Sequence, residues 1–292
     1  MQSETAVQQA ATVAEAFSGK VTLLGMLQPG EQAEAQGFID PVAWNAARTR
    51  KHAALTEVVA RLEGQGVPVE MEMLDVSSAM QVLRHVDAGH FDLVVVSEQD
   101  AVLRAMLREM LTYSSTPICV ARGPAGTRFR RIMVPLDGSQ RAECMLPLAT
   151  TLAQSLGATL LLTHIIKEPE MPQRMSHKAE DIQLVEQLLD RSQQESERYL
   201  NELVARLPVP AETYIAVHQS IATALQDVIR QQAIDLVAVC AHGYVGLPEQ
   251  PLGGITNSLL EASPASVLIR QDLPSALPQA EFEANGRHPG GG

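Results

Sequence analysis

Cysteine, aromatic residues and basic charge are all scarce in this chain. Only three cysteines occur, Cys119, Cys144 and Cys240. They share no metal-ligand spacing, which excludes a zinc module, and they are too few to staple a small secreted fold. They read as free thiols in a reducing compartment, and Cys240, inside a Val-rich run, reads as a small core residue rather than a redox centre. No apolar run approaches the roughly 20 residues needed to span a bilayer. The opening residues, MQSETAVQQAATVAEAF, are acidic and amphipathic, without the basic start and apolar centre of a secretory signal. Together these absences predict a cytoplasmic protein. Lys and Arg number 22 against 34 Asp and Glu, a formal net charge of -12, which argues against nucleic acid or an anionic membrane as a partner. A Gly-x-x-x-x-Gly-Lys-Ser/Thr segment is also lacking, which excludes a P-loop.

What is present is a duplication. The 292 residues, with a mean hydropathy of zero, suit two globular domains of ordinary size. The segment FDLVVVS, ending at Ser97, parallels IDLVAVC, ending at Cys240. The segment STPICVAR, ending at Arg122, parallels the stretch ending at Arg270. GKVTLL from Gly19 parallels GATLLL from Gly157. Three blocks in one order, about 140 residues apart, define a tandem repeat. The boundaries follow: a first domain over residues 1–123, a linker over 124–128 marked by the segment GPAGT at 123–127, a second domain over 129–271, and a Pro- and Gly-rich tail, 272–292, expected to be disordered.

The second copy alternates strand and helix throughout, which predicts a parallel sheet covered on both faces. Strands are expected at Arg131 to Leu136, Thr159 to Ile166, Ala211 to Val217, Leu236 to Cys240 and Ala265 to Arg270. Helices are expected from Glu143 to Leu156, within Met171 to Leu207, after the cap Ser220, and from Ile255 to Ala262. Asp137 follows the first strand, at the carboxyl edge where open parallel sheets place ligands. Beyond Cys240 come Ala241, His242 and Gly243, then nine residues, then Gly253 and Gly254 opening a helix. A glycine pair at a helix start offers backbone N–H groups at the positive end of the dipole, an anion site.

That order of parts resembles the C-terminal half of a universal stress protein domain, whose pattern here is Gly-x-x-Gly, nine residues, then Gly followed by Ser or Thr. The spacing from Gly243 to Gly253 fits. Cys240 stands at the first glycine and Gly254 at the Ser or Thr. The resemblance implies two tandem adenine-nucleotide-α-hydrolase-like (Rossmann-like) α/β domains, each an open parallel sheet with strand order 3-2-1-4-5 and helices on both faces. It implies ATP or a related adenine nucleotide, with Mg²⁺, as ligand. Asp137 would lie near the ribose, with Pro135 and Leu136 before it also in the nucleotide site, and the backbone of Ile165 and Val239 near the base. His242, Gly243, Gly253, Gly254 and Ile255 would face the phosphates. It further implies that the fifth strands, Pro117 to Ala121 and Ala265 to Arg270, pair in an internal pseudo-dimer, with a homodimer as an extension of the same self-association.

The first copy is degenerate. Aligning Gly19 with Gly157 sets Met1 level with Ser139, so the first strand and its Asp have no counterpart. Either that strand lies upstream of this chain, or this half rebuilds its sheet without it. Ser97, Glu98, Gln99 and Asp100 replace the glycine loop, and the two acids would repel phosphate. No nucleotide is expected in this half. Its elements otherwise read normally: a helix from Asp40 and Pro41 to Glu63, a strand from Val67 to Leu74, and a helix after Ser78.

Each functional reading has a structural counterpart. The three glycines would turn the chain in any protein of this pattern, Asp137 would cap a helix anyway, and His242 reads more readily as a loop histidine than a catalyst. No residue is identified as a base, no metal ligand set is present, and the Ser-Gly-Gly-x-Asp-Ser loop of the related ATP pyrophosphatases is not matched by Leu136-Asp137-Gly138-Ser139. The expectation is therefore a nucleotide-binding stress-response regulator and not an enzyme. The alternative is a nucleotide-free tandem scaffold acting through an unidentified protein partner.

Overall fold

A computed structural model describes residues 4–27, 41–76, 78–98, 101–124, 126, 128–169, 179–242 and 252–271, with the backbone alone at 101, 102 and 179–181. The first half contains α1 (Glu4–Ala16), β1 (Val21–Leu27), α2 (Pro41–Gly64), β2 (Val69–Asp75), α3 (Ala79–Gly89), β3 (Val94–Ser97), α4 (Ala101–Tyr113) and β4 (Ile118–Ala121). The second contains β5 (Arg131–Pro135), α5 (Gln140–Glu143), α6 (Leu146–Leu156), β6 (Thr159–Lys167), α7 (Ala179–Val204), β7 (Ala211–His218), α8 (Ile221–Gln231), β8 (Leu236–Cys240), α9 (Gly254–Ala262) and β9 (Ser266–Arg270). Among these described residues no helix is long and apolar enough to cross a membrane. The tail 272–292, the Met171 lead-in to α7, Gly243, and Ala125 and Thr127 of the linker lie outside the described residues.

The second half has the expected doubly wound sheet, in the order β7-β6-β5-β8-β9, that is 3-2-1-4-5, with every pairing parallel. Alternation along the central strands assigns the two faces. Ile132, Val134, Leu160, Leu162, Leu236 and Ala238 pack with Ala149 and Leu152 of α6 and Leu200 and Leu203 of α7. Met133, Leu161 and Val237 pack with Leu225, Val228 and Ile229 of α8 and Leu259 of α9.

The first half corrects the expectation of two sheets of one design. Its strands are divided between sheets: β1 and β2 form a parallel pair of their own, while β3 and β4 extend the large sheet to seven strands, β3-β4-β9-β8-β5-β6-β7. In a 3-2-1-4-5 order the first strand bridges the second and the fourth. Among the described residues no strand fills that position between β1 and β3, so the pairs separate. The join between halves is the expected one: β4 runs antiparallel to β9, with Ile118 opposite Ile269, Cys119 opposite Leu268 and Val120 opposite Val267. It removes two sheet edges from solvent.

Two further differences have local causes. The helix expected from Glu143 to Leu156 is two, α5 and α6, because Pro147 has no N–H to donate and sits where a new helix starts. The expectation of three free cysteines is also corrected. Cys144, in the break between α5 and α6, and Cys240, the last residue of β8, form a disulfide, and Cys119 alone is free. They are 96 residues apart, and only the adjacency of β5 and β8 unites them. The compartment inferred from free thiols loses that support.

Candidate functional site

The site is built at the carboxyl edge of the large sheet, where the chain leaves β5 toward α5 and β8 toward α9. Between these neighbouring parallel strands the crossovers depart in opposite directions, which opens a crevice. Leu136 N–H donates to the Thr163 carbonyl at 2.8 Å, holding the chain to β6 for one residue past β5. The register pairs Pro135 with Thr163, and carried two residues on it sets Asp137 level with Ile165.

Asp137 is exposed and stands in a tight turn. Its Oδ1 accepts from the Ser139 N–H at 3.0 Å and from Ser139 Oγ at 2.5 Å. Gly138 between them has φ of +81°, a left-handed conformation that a side chain disfavours. Ser139 then caps α5, accepting from the Ala142 N–H at 3.2 Å. Beneath this turn Tyr199 Oη donates to Glu143 at 2.9 Å. Burial first, then the hydrogen bond and charge of Glu143 and the charge of Asp137, push the Tyr199 phenol above its ordinary range. Tyr199 is therefore a neutral donor at physiological pH.

On the other side, β8 ends at Cys240 and the chain returns at Leu252. Gly253 N–H donates to the Ala241 carbonyl at 2.8 Å, and Thr256 Oγ1 to the Cys240 carbonyl at 2.9 Å. These two bonds seat the first turn of α9 directly on the end of β8. Gly253 is the N-cap in extended conformation, and Gly254 is exposed. The first-turn N–H groups of a helix lack intrahelical acceptors and carry the positive end of its dipole.

The structure thus gathers Pro135, Leu136, Asp137, Ile165, Val239, Gly253, Gly254 and Ile255 at one edge of the sheet. The side chains of Ile165 and Val239 are buried in two apolar clusters on the same face of the sheet, so only their backbone is available at that edge. His242 is turned inward, 5% exposed and already engaged. Sequence reasoning missed Thr256 and His164, whose Nδ1 lies 2.7 Å from the Leu136 carbonyl; no spacing in the sequence signals either contact. It also missed the disulfide.

The equivalent place in the first half is occupied by its own side chains. Glu98 pairs with Arg122, so its charge is compensated rather than directed at a ligand. Arg122 crosses to the second half, donating to the carbonyls of Leu259 at 3.1 Å, Ser263 at 2.7 Å and Leu260. A polar cleft of about 310 Å³ remains, lined in part by Thr5, Ser97, Glu98 and Arg104.

An open parallel sheet with a turn-borne carboxylate and a glycine-led helix meeting at its switch point defines the class: a doubly wound α/β domain. Residues 128–270, in the second half of the chain, match the profile of the Universal stress protein family. Over most of its length it is similar in fold to a universal stress protein from Archaeoglobus fulgidus DSM 4304, at 14% identity and a TM-score of 0.62, covering 91% of each chain. It is likewise similar to a functionally unknown protein from Pseudomonas aeruginosa PAO1, at 12% identity and a TM-score of 0.63, covering 91% of this chain and 86% of that one. These likenesses extend the fold across both halves. No curated protein matches the chain in sequence.

Proposed function

We propose that the second half binds one adenine nucleotide in the crevice between β5 and β8, and that the protein acts as a stress-response regulator rather than an enzyme. The observation that carries this reading is the seating of α9. The Gly253 N–H bond to Ala241 seats the first turn of the helix at the end of β8, the strand next to the one that leads into Asp137. An anion held by those N–H groups and a ribose hydroxyl donating to a carboxylate are separate requirements, and one ligand class, a nucleotide, answers both. The family match of residues 128–270 supports the regulatory role.

A binding role without turnover suits the residues. Hydrolysis needs a base within reach of an attacking water, whereas Asp137 is engaged by Ser139 and His242 is buried. No Lys or Arg occurs between Arg230 and Arg270, so phosphate affinity rests on backbone groups and on a metal brought with the ligand.

Calorimetric titration of the full-length protein with ATP, ADP and AMP in Mg²⁺ tests the proposal. One site per chain is expected, lost in Asp137→Ala. Absence of heat near a ligand concentration of about 1 mM, where a Kd of that order corresponds to about -4 kcal/mol, would reject it in favour of the nucleotide-free scaffold.

A further inference from the structure

The disulfide occupies a position that the nucleotide reading does not use. Cys144 follows the Asp137 turn and α5, in the two-residue break before α6, and Cys240 ends β8. The bond therefore ties one wall of the crevice to the other. Its two ends are anchored differently. Cys240 is buried, with its carbonyl held by Thr256 of α9. Cys144 is partly exposed; its carbonyl accepts from Arg270 Nη1 at 3.2 Å, Glu143 accepts from Tyr199, and Ala142 and Met145 on either side are buried in the core.

The fold beneath is complete without the bond. β5 and β8 are already paired, Ile132 with Leu236 and Met133 with Val237, and apolar clusters pack both faces of the sheet. Breaking the bond therefore loosens the exposed part of the wall and leaves the sheet paired. Cys119 takes no part, since it is fully buried in β4 and burial pushes its thiol up to about 12.

We propose that Cys144–Cys240 is a redox-modification site for low-molecular-weight thiols and disulfides, which fastens the Asp137 wall to β8 when oxidised and releases it when reduced. In the reducing direction a small thiolate attacks Sγ of Cys144, the less buried of the two residues. The electron pair of the cleaved S–S bond leaves on Cys240 Sγ, which takes up a proton. A second small thiolate attacks the outer sulfur of the mixed disulfide, and Cys144 leaves as a thiolate and is protonated. Two small thiols become one disulfide, and the protein gains two electrons and two protons; a small disulfide such as oxidised glutathione drives the reverse. A fastened wall is preorganised for its ligand, so the oxidised form binds nucleotide more tightly. This affinity arm rests on the function proposed above; the release of the wall does not.

The test compares full-length protein equilibrated with oxidised glutathione and with dithiothreitol, alongside Cys144→Ser and Cys240→Ser. Peptide mapping is expected to find the 144–240 link in the oxidised form, and circular dichroism an unchanged fold after reduction. Amide exchange over residues 138–145 is expected to accelerate about tenfold or more on reduction, with both variants fast in either condition. ATP affinity is expected to fall about tenfold on reduction. Failure of the link to form, unchanged exchange, or unfolding of the whole chain on reduction would each overturn the proposal, the last marking a structural staple. ATP binding that ignores redox state while exchange is also unchanged leaves the nucleotide reading standing and removes this one. Redox-dependent exchange with no ATP binding in either state does the opposite.

Discussion

Among the described residues, a methyl group added at Gly254 would meet no atom within 4 Å beyond its chain neighbours and its own helix backbone, and the position is exposed. Gly254→Val is therefore expected to change stability by about 1 kcal/mol or less while weakening ATP binding at least about tenfold, because the added branches occupy the space of the anion. Calorimetry and thermal melting of the same sample separate the two effects. Gln9 is the opposite kind of residue. It is 1% exposed, its Nε2 donates to the Arg122 carbonyl at 3.0 Å, and its Oε1 accepts from Ser266 Oγ at 3.0 Å. Gln9→Ala leaves both partners without that bond in a dry place, with an expected loss of about 1–3 kcal/mol, read from the urea midpoint. Nucleotide affinity is not expected to follow, since Gln9 lies at the junction of the halves.

Among the elements, α9 is held at both ends. Its first turn is seated on β8 through Gly253 and Thr256, and its last carbonyls are collected by Arg122 from the other half. A guanidinium at a helix C-terminus satisfies acceptors that the helix cannot and complements the dipole. The Arg122 side chain is 8% exposed, so its bonds are poorly screened. Arg122→Ala is expected to cost about 2–4 kcal/mol, with Arg122→Lys recovering only part, because one ammonium cannot match a planar fork of donors. Denaturant titration of the two variants measures this. The helix break before α6 shows how one residue, Pro147, divides an element whose apolar pattern reads as continuous.

At the scale of the whole molecule the halves share a core cluster. The cluster around Val96, Leu107, Met110, Ile118 and Val120 also contains Val239, Ala241, Leu252, Val267 and Ile269, so neither half buries its apolar surface alone. Calorimetric unfolding is expected to show one transition rather than two. Val120, fully buried at the β4–β9 seam, offers the corresponding variant. Val120→Asp places an unpaired carboxylate in that core and is expected to lower the single transition by about 3 kcal/mol or more. Two resolved transitions, only one of them shifted, would show that the halves fold independently.

Periodicity and glycine placement determined most of the second half. Apolar runs such as LVAVC and LLLTHII have the pattern of strands buried on both faces, and the repeat announced that two such units follow each other. Asp137 and Gly253–Gly254 were legible because each is fixed by a local rule, a turn after a strand and a glycine opening a helix. Tertiary structure decided the rest. A local pattern shows that the first copy lacks a strand, but not that the loss divides its sheet and passes β3 and β4 to the neighbouring one, since strand partners are set by non-local pairing. The carboxylate of Glu98 is repulsive in the sequence and neutralised in the fold, because its partner Arg122 arrives from a different strand. Cys144 and Cys240 have no informative spacing, and they meet because adjacent parallel strands bring together chain segments 96 residues apart. Sequence periodicity reports which face of an element is buried, whereas contacts between distant elements depend on where the sheet closes its ranks.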